Sequence, residues 1–189
     1  MFKKIAVTDA ACCPRPLLQQ LERLSCCQIP PDAVMLRAKN LSAAEYEVLA
    51  RQALRIFHNT PTEIFLHGHW QLAQQLGVTR LHLPLKNLLA LPPSYRSFFS
   101  DISVSVHSLE EARQAAECGA TQLVAGHIYA TSCKPGLPPR GLSFLRQICR
   151  SSPVPVYAIG GVGLNAAQWQ DLRECGAAGA CIMSAYMQI

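Results

Sequence analysis

Short apolar runs alternate with stretches of helical spacing from one end of the chain to the other, and this pattern limits the possible folds more than any single motif. The runs are residues 4–9, 33–39, 63–67, 80–84, 102–107, 122–129, 154–159 and 179–184. Each is short enough for a strand and is bounded by Gly, Pro or a polar capping residue. The segments between them read as helices. Ser42 with Glu45 forms a capping-box signature for a helix reaching about Phe57, and Ser108 with Glu111 forms another, ended by Gly119. Helices are also expected over Leu17–Leu24, Trp70–Leu76 and Leu142–Arg150, and from Asn165 to Gly176. Residues 88–100, with Pro92 and Pro93, read as a loop and one short helix. Eight strands separated by helix-length segments imply parallel pairing through crossover helices. The pattern predicts an α/β fold, a (β/α)8 barrel forming a single domain over residues 1–189, with the last helix missing or truncated. A doubly wound open sheet is the structural alternative. The chain lacks the Gly-x-Gly-x-x-Gly turn after the first run that would favour a dinucleotide fold.

Composition excludes several classes. Half of the 189 residues are apolar, so a substantial core is expected and disorder is not. No apolar run reaches membrane-spanning length, and the apolar stretch after Lys3 and Lys4 is too short for a signal peptide. The nine cysteines are odd in number and include no Cys-x-x-Cys pair. They read as free thiols in a reducing cytoplasm, used as small apolar residues. The net charge of +5 is scattered, which argues against nucleic acid as a partner. It is compatible with a small anionic ligand.

The segment 126–142 concentrates the chemistry. Strand alternation places Leu123, Ala125 and His127 on one face. If that face looks inward, His127 stands at a strand mouth. Behind it lie Thr131, Ser132, Cys133 and Lys134 in a stiff Pro/Gly-rich turn. The pattern fits an acid/base imidazole beside an anion-binding loop, and equally a core histidine beside a solvated lysine. In a barrel, chemistry sits at the carboxyl ends of the strands, and phosphate often binds after the seventh and eighth. Gly160 and Gly161 end the seventh run; Ser184 and Ala185 follow the eighth. These are candidate phosphate donors, with a tight turn and an ordinary serine as the alternative. Arg37 and Lys39 share a face near the end of the second run and are either site cations or solvated charges. His67 and His69 have a spacing that could ligate a metal, but no third ligand is near. His107 and Asp9, each at a strand end, read as orienting groups.

Several stretches together resemble a known family. Ser105–Ala112, Gly126–Lys134, Arg140-Gly-Leu, Ala158–Gly161 and Met183-Ser184 are similar to the thiamine-phosphate synthase/TenI family, whose two branches are the synthase and a thiazole tautomerase. The resemblance implies a TIM barrel acting in thiamine biosynthesis. The synthase branch is implied to use Mg²⁺, held by aspartates whose matching positions here are Gly68 and Asn87. The tautomerase branch is implied to carry Gly-His at the end of strand six, as in Gly126-His127, and Cys133-Lys134 matches it too. Its strand-three motif resembles Asn-Gly-Arg, from which His67 and His69 depart.

On this footing the sequence predicts a metal-independent isomerase, a thiazole tautomerase in which His127 moves a proton from a ring carbon to an exocyclic carbon. Gly160, Gly161, Ser184 and Ala185 are expected to hold the phosphate. Thr131, Cys133, Lys134, Arg37 and Lys39 are expected to line the mouth. No cofactor and no metal are expected. The expected partner is a small thiazole phosphate, with no nucleic acid and no membrane; a homo-oligomer is left open. Two alternatives accompany this reading: the synthase itself, a transferase, and a barrel that binds a thiazole phosphate without turning it over.

Overall fold

The structure, a computed structural model, describes all 189 residues. Eight strands pair in parallel, each with its neighbours in sequence, and β8 closes on β1. They are β1 (Lys3–Val7), β2 (Ala33–Leu36), β3 (Glu63–His67), β4 (Arg80–Pro84), β5 (Asp101–Val106), β6 (Gln122–Gly126), β7 (Val156–Ile159) and β8 (Gly179–Ile182). The helices are α1 (Leu17–Cys26), α2 (Ala43–Phe57), α3 (Trp70–Gln75), α4 (Leu85–Ala90), α5 (Pro93–Arg96), α6 (Leu109–Glu117), α7 (Gly141–Ser151), α8 (Ala166–Glu174) and α9 (Ser184–Met187). The barrel expected from the alternation is therefore present, and its last helix is a single turn. Residues 88–100 hold the end of one short helix and the whole of another, not one.

The helix starts follow from local chemistry. At α2 the Ser42 hydroxyl accepts from the Glu45 N–H, and the Glu45 carboxylate accepts from the Ser42 N–H at 2.8 Å. At α6 the Ser108 hydroxyl accepts from the Glu111 N–H, but the Glu111 carboxylate reaches one residue further back, to the His107 N–H. Asn165 caps α8 through the N–H groups of Ala167 and Gln168.

Strands buried on both faces account for the apolar runs. Inside the barrel, Ile5, Val7, Ala33, Met35, Phe65, Val124, Tyr157 and Cys181 pack together. A larger cluster lies between strands and helices and includes Leu36, Leu66, Leu81, Leu83, Leu123 and Ala125. Leu123 and Ala125 thus face the helices, and Val124 faces the interior, so the face that Leu123 and Ala125 share is not the inward one. Pairing nevertheless continues past Gly126, where Ile128 N–H donates to the Ile159 carbonyl and Tyr129 N–H to the Gly160 carbonyl, both at 2.9 Å. The final turn, α9, is held to α1 by the Gln20 side chain, which donates to the Tyr186 carbonyl at 2.6 Å. Tyr186 and Met187 are fully buried there. No helix is long and apolar enough to cross a membrane.

Candidate active site

The carboxyl ends of the strands open on a cavity of about 920 Å³. Its lining brings together every site residue expected from sequence: Arg37, Lys39, His127, Thr131, Cys133, Lys134, Gly160, Gly161, Ser184 and Ala185. His127 lines it although Leu123 and Ala125 do not, because β6 ends at Gly126 and strand alternation no longer sets the side-chain direction beyond it. His127 Nε2 donates to the Leu137 carbonyl at 3.3 Å, linking the ring to the exposed loop beyond it. His107 Nδ1 donates to the Gly126 carbonyl at 2.9 Å and so fixes the peptide before His127.

The glycine pair has a steric reason as well as a chemical one. Gly160 has φ +97°, and a Cβ there would collide with the His127 Cβ and lie 2.8 Å from its Cα. Gly161 has φ +69°, and a Cβ would run into the Ala130 carbonyl and lie 2.7 Å from the Tyr129 Cβ. Only glycine lets this turn sit against the end of β6. The turn also leaves the Gly161 and Val162 N–H groups without an acceptor in the chain. Gly163 N–H is taken by Gln168 Oε1, and the first amides of α8 by Asn165, so α8 does not offer its end to a ligand. At the end of the neighbouring strand β8, Ser184 and Ala185 open α9, where backbone N–H groups have no intrahelical acceptor. The mouth therefore carries unpaired amide donors at two adjacent strand ends.

The charges are unevenly shared. Asp9 is the only carboxylate in the lining, and Arg37, Lys39 and Lys134 are its cations. Arg37 lies 2.6 Å from Asp9. Lys39 and Lys134 are exposed and have no acidic partner.

His82, which the sequence pattern does not single out, lies deeper, with two serines and His67 around it. His82 is buried, with Nδ1 2.9 Å from Ser103 Oγ and Nε2 2.8 Å from Ser105 Oγ. Burial, and then the nearby His67, hold its imidazole well below the ordinary histidine range. The His67 ring lies 5.0 Å from the His82 ring. Burial, then the charges of Arg37 and Lys39, push His67 down to about 4. His82 sits mid-strand in an apolar run, and only its i,i+2 match with Pro84, which also lines the cavity, could have marked it as interior. His69 turns away from the cavity and stacks on Tyr46 at 3.9 Å, so His67 and His69 form no ligand pair.

A divalent hard cation does not fit this donor set. Such ions want several oxygen ligands, carboxylates above all. The one carboxylate is already paired, the positions matching the implied aspartates are Gly68 and Asn87, and no three His, Cys, Asp or Glu side chains converge.

The sequence model of the family described as thiamine monophosphate synthase matches residues 5–186. The chain belongs to this family. A thiamine-phosphate synthase from Thermus thermophilus is 33% identical over 136 residues, covering 71% of this chain and 65% of that protein. One from Anaeromyxobacter dehalogenans is 31% identical over 158 residues, covering 82% of this chain and 69% of its own. The thiamine phosphate pyrophosphorylase of Pyrococcus furiosus superposes with a TM-score of 0.82 over 98% of this chain and 87% of its own, at 24% identity, a likeness of fold. The chain thus spans just under two thirds of the Thermus relative it matches.

These relatives correct the sequence expectation of an isomerase. They are named as synthases, which are transferases, and none of those compared is named a tautomerase. The features that favoured the tautomerase, Gly126-His127, Cys133-Lys134 and the aspartates missing at Gly68 and Asn87, do not by themselves fix the reaction. The acid/base role expected for His127 belonged to the isomerase reading and falls with it.

Proposed function

We propose that the chain is a thiamine-phosphate-synthase-type transferase, joining the methylene of a pyrimidine pyrophosphate ester to the ring nitrogen of a thiazole phosphate. The observation that carries this reading is the family match over residues 5–186, taken with a strand-end cavity that gathers unpaired amides and cations. One C–N bond forms, one C–O bond breaks, and pyrophosphate leaves with the electron pair.

The residues divide this work by chemistry. Free N–H groups of Gly161 and Val162, with those opening α9, suit the thiazole phosphate, because fixed backbone dipoles bind an anion with little reorganisation. Arg37, Lys39 and Lys134 stand where a departing pyrophosphate would accumulate charge. The Ser105 hydroxyl, bonded to His82, offers a fixed polar contact for a heteroaromatic ring in the cavity. Holding both rings in line makes the reaction effectively unimolecular.

The reading is tested by mixing the protein with both substrates, once with Mg²⁺ and once with EDTA, and measuring the coupled product by chromatography. Product in either mixture supports it. A second reading, a barrel that binds the thiazole phosphate without turnover, is favoured by the absence of the carboxylates that the synthase resemblance implies. It predicts binding of the thiazole phosphate and no product in both mixtures.

A further inference from the structure

The cavity lacks carboxylates for a metal, yet the proposed substrate carries a multiply charged diphosphate. Its lining holds three cations and one carboxylate, a net charge of +2, the charge of one divalent ion. Arg37 and Asp9 largely cancel at 2.6 Å. The excess therefore resides on Lys39 and Lys134, neither of which has an acidic partner. The charges of both Arg37 and Lys39 are felt at His67, which places these two cations on the β2–β3 side of the mouth. Lys134 stands on the loop after β6, where its N–H donates to the Thr131 carbonyl at 3.2 Å. A diphosphate between them meets positive charge from two directions.

We infer that this cavity binds the diphosphate end of its substrate through Lys39, Lys134 and Arg37, with no divalent ion. This rests on the transferase reading above and departs from the Mg²⁺ that the synthase resemblance implies. The lysine ammonium groups take the place of the ion, as point charges on flexible stems that can follow the anion as it leaves. Added Mg²⁺ pairs with free pyrophosphate in solution and competes with the site.

The probe is inorganic pyrophosphate, titrated into the full chain by calorimetry in EDTA and again in millimolar Mg²⁺. Binding is expected in EDTA and should be equal or weaker in Mg²⁺. Lys39→Met and Lys134→Met should each weaken it about tenfold, the loss of one charge-assisted contact. Lys39→Arg should restore most of the affinity. Both lysines are exposed, so unfolding temperatures should not move. Binding that requires Mg²⁺ overturns the inference, and so does no binding in either condition or methionine variants that bind normally. The two proposals fail separately. Coupled product with Mg²⁺-dependent pyrophosphate binding would remove this inference and keep the transferase. Metal-free pyrophosphate binding without coupled product would do the opposite.

Discussion

The Arg37 guanidinium sits 2.6 Å from the Asp9 carboxylate at the cavity mouth, so the one acid in the lining already has its cation. Asp9 also accepts from the Ala11 N–H at 3.1 Å and anchors the turn after β1. Asp9→Asn keeps that acceptor and frees the guanidinium. The variant should bind inorganic pyrophosphate several-fold tighter by calorimetry, while the partly exposed pair costs at most about 1 kcal/mol of stability.

Gly160→Ala should be the more damaging of two small changes in the mouth. The added methyl meets His127, and the residue must hold a positive φ of 97°. A loss of about 2–4 kcal/mol is expected from strain and overpacking, read as a fall in unfolding temperature of roughly 4–16 °C. Ser132→Ala, on the exposed loop nearby, should leave that temperature unchanged.

Tyr46 links the end of β2 to the end of β3. Its hydroxyl donates to the Leu36 carbonyl at 2.7 Å and accepts from the His67 N–H at 3.0 Å. Tyr46→Phe removes both bonds and leaves a buried carbonyl and an N–H short of a partner. It should lose about 2–3 kcal/mol in denaturant unfolding.

Stability should fall on mild acidification. His67 and His82 are both held neutral by burial, with folded-state pKa values below the ordinary 6.5. The unfolded chain binds more protons than the folded one below that point, so stability is full above about pH 6.5 and declines as pH drops towards 4. Each histidine contributes up to about 1.4 kcal/mol per pH unit inside this window. Urea unfolding from pH 7.5 to 4.5 should show the decline, and His67→Asn should flatten it. An unchanged slope in that variant would count against a neutral His67.

The barrel was legible because its signals are local. Capping at Ser42, Ser108 and Asn165, and the apolar runs between helices, depend on neighbours a few residues away. All ten expected site residues line one cavity because strand-end positions converge in any such barrel. What failed depended on distant contacts. The inward face of β6 is not legible in the sequence because strands buried on both sides show no polar alternation, so Val124 and Ala125 look alike. His82 was passed over because its serine partners lie on the next strand. The isomerase expectation rests on the aspartates missing at Gly68 and Asn87, on Gly126-His127 and on Cys133-Lys134, none of which fixes the bond being made, and the relatives' names overturn it.

The central claim is that the cavity transfers a pyrimidine methylene and releases pyrophosphate. Phosphorus NMR on a mixture of protein, pyrimidine pyrophosphate and thiazole phosphate tests it directly. The account predicts that the paired signals of the diphosphate ester decay and the single resonance of free pyrophosphate grows, in EDTA as in Mg²⁺, and only when both substrates are present. Ester signals that stay unchanged in both conditions, with the thiazole phosphate bound, would contradict it.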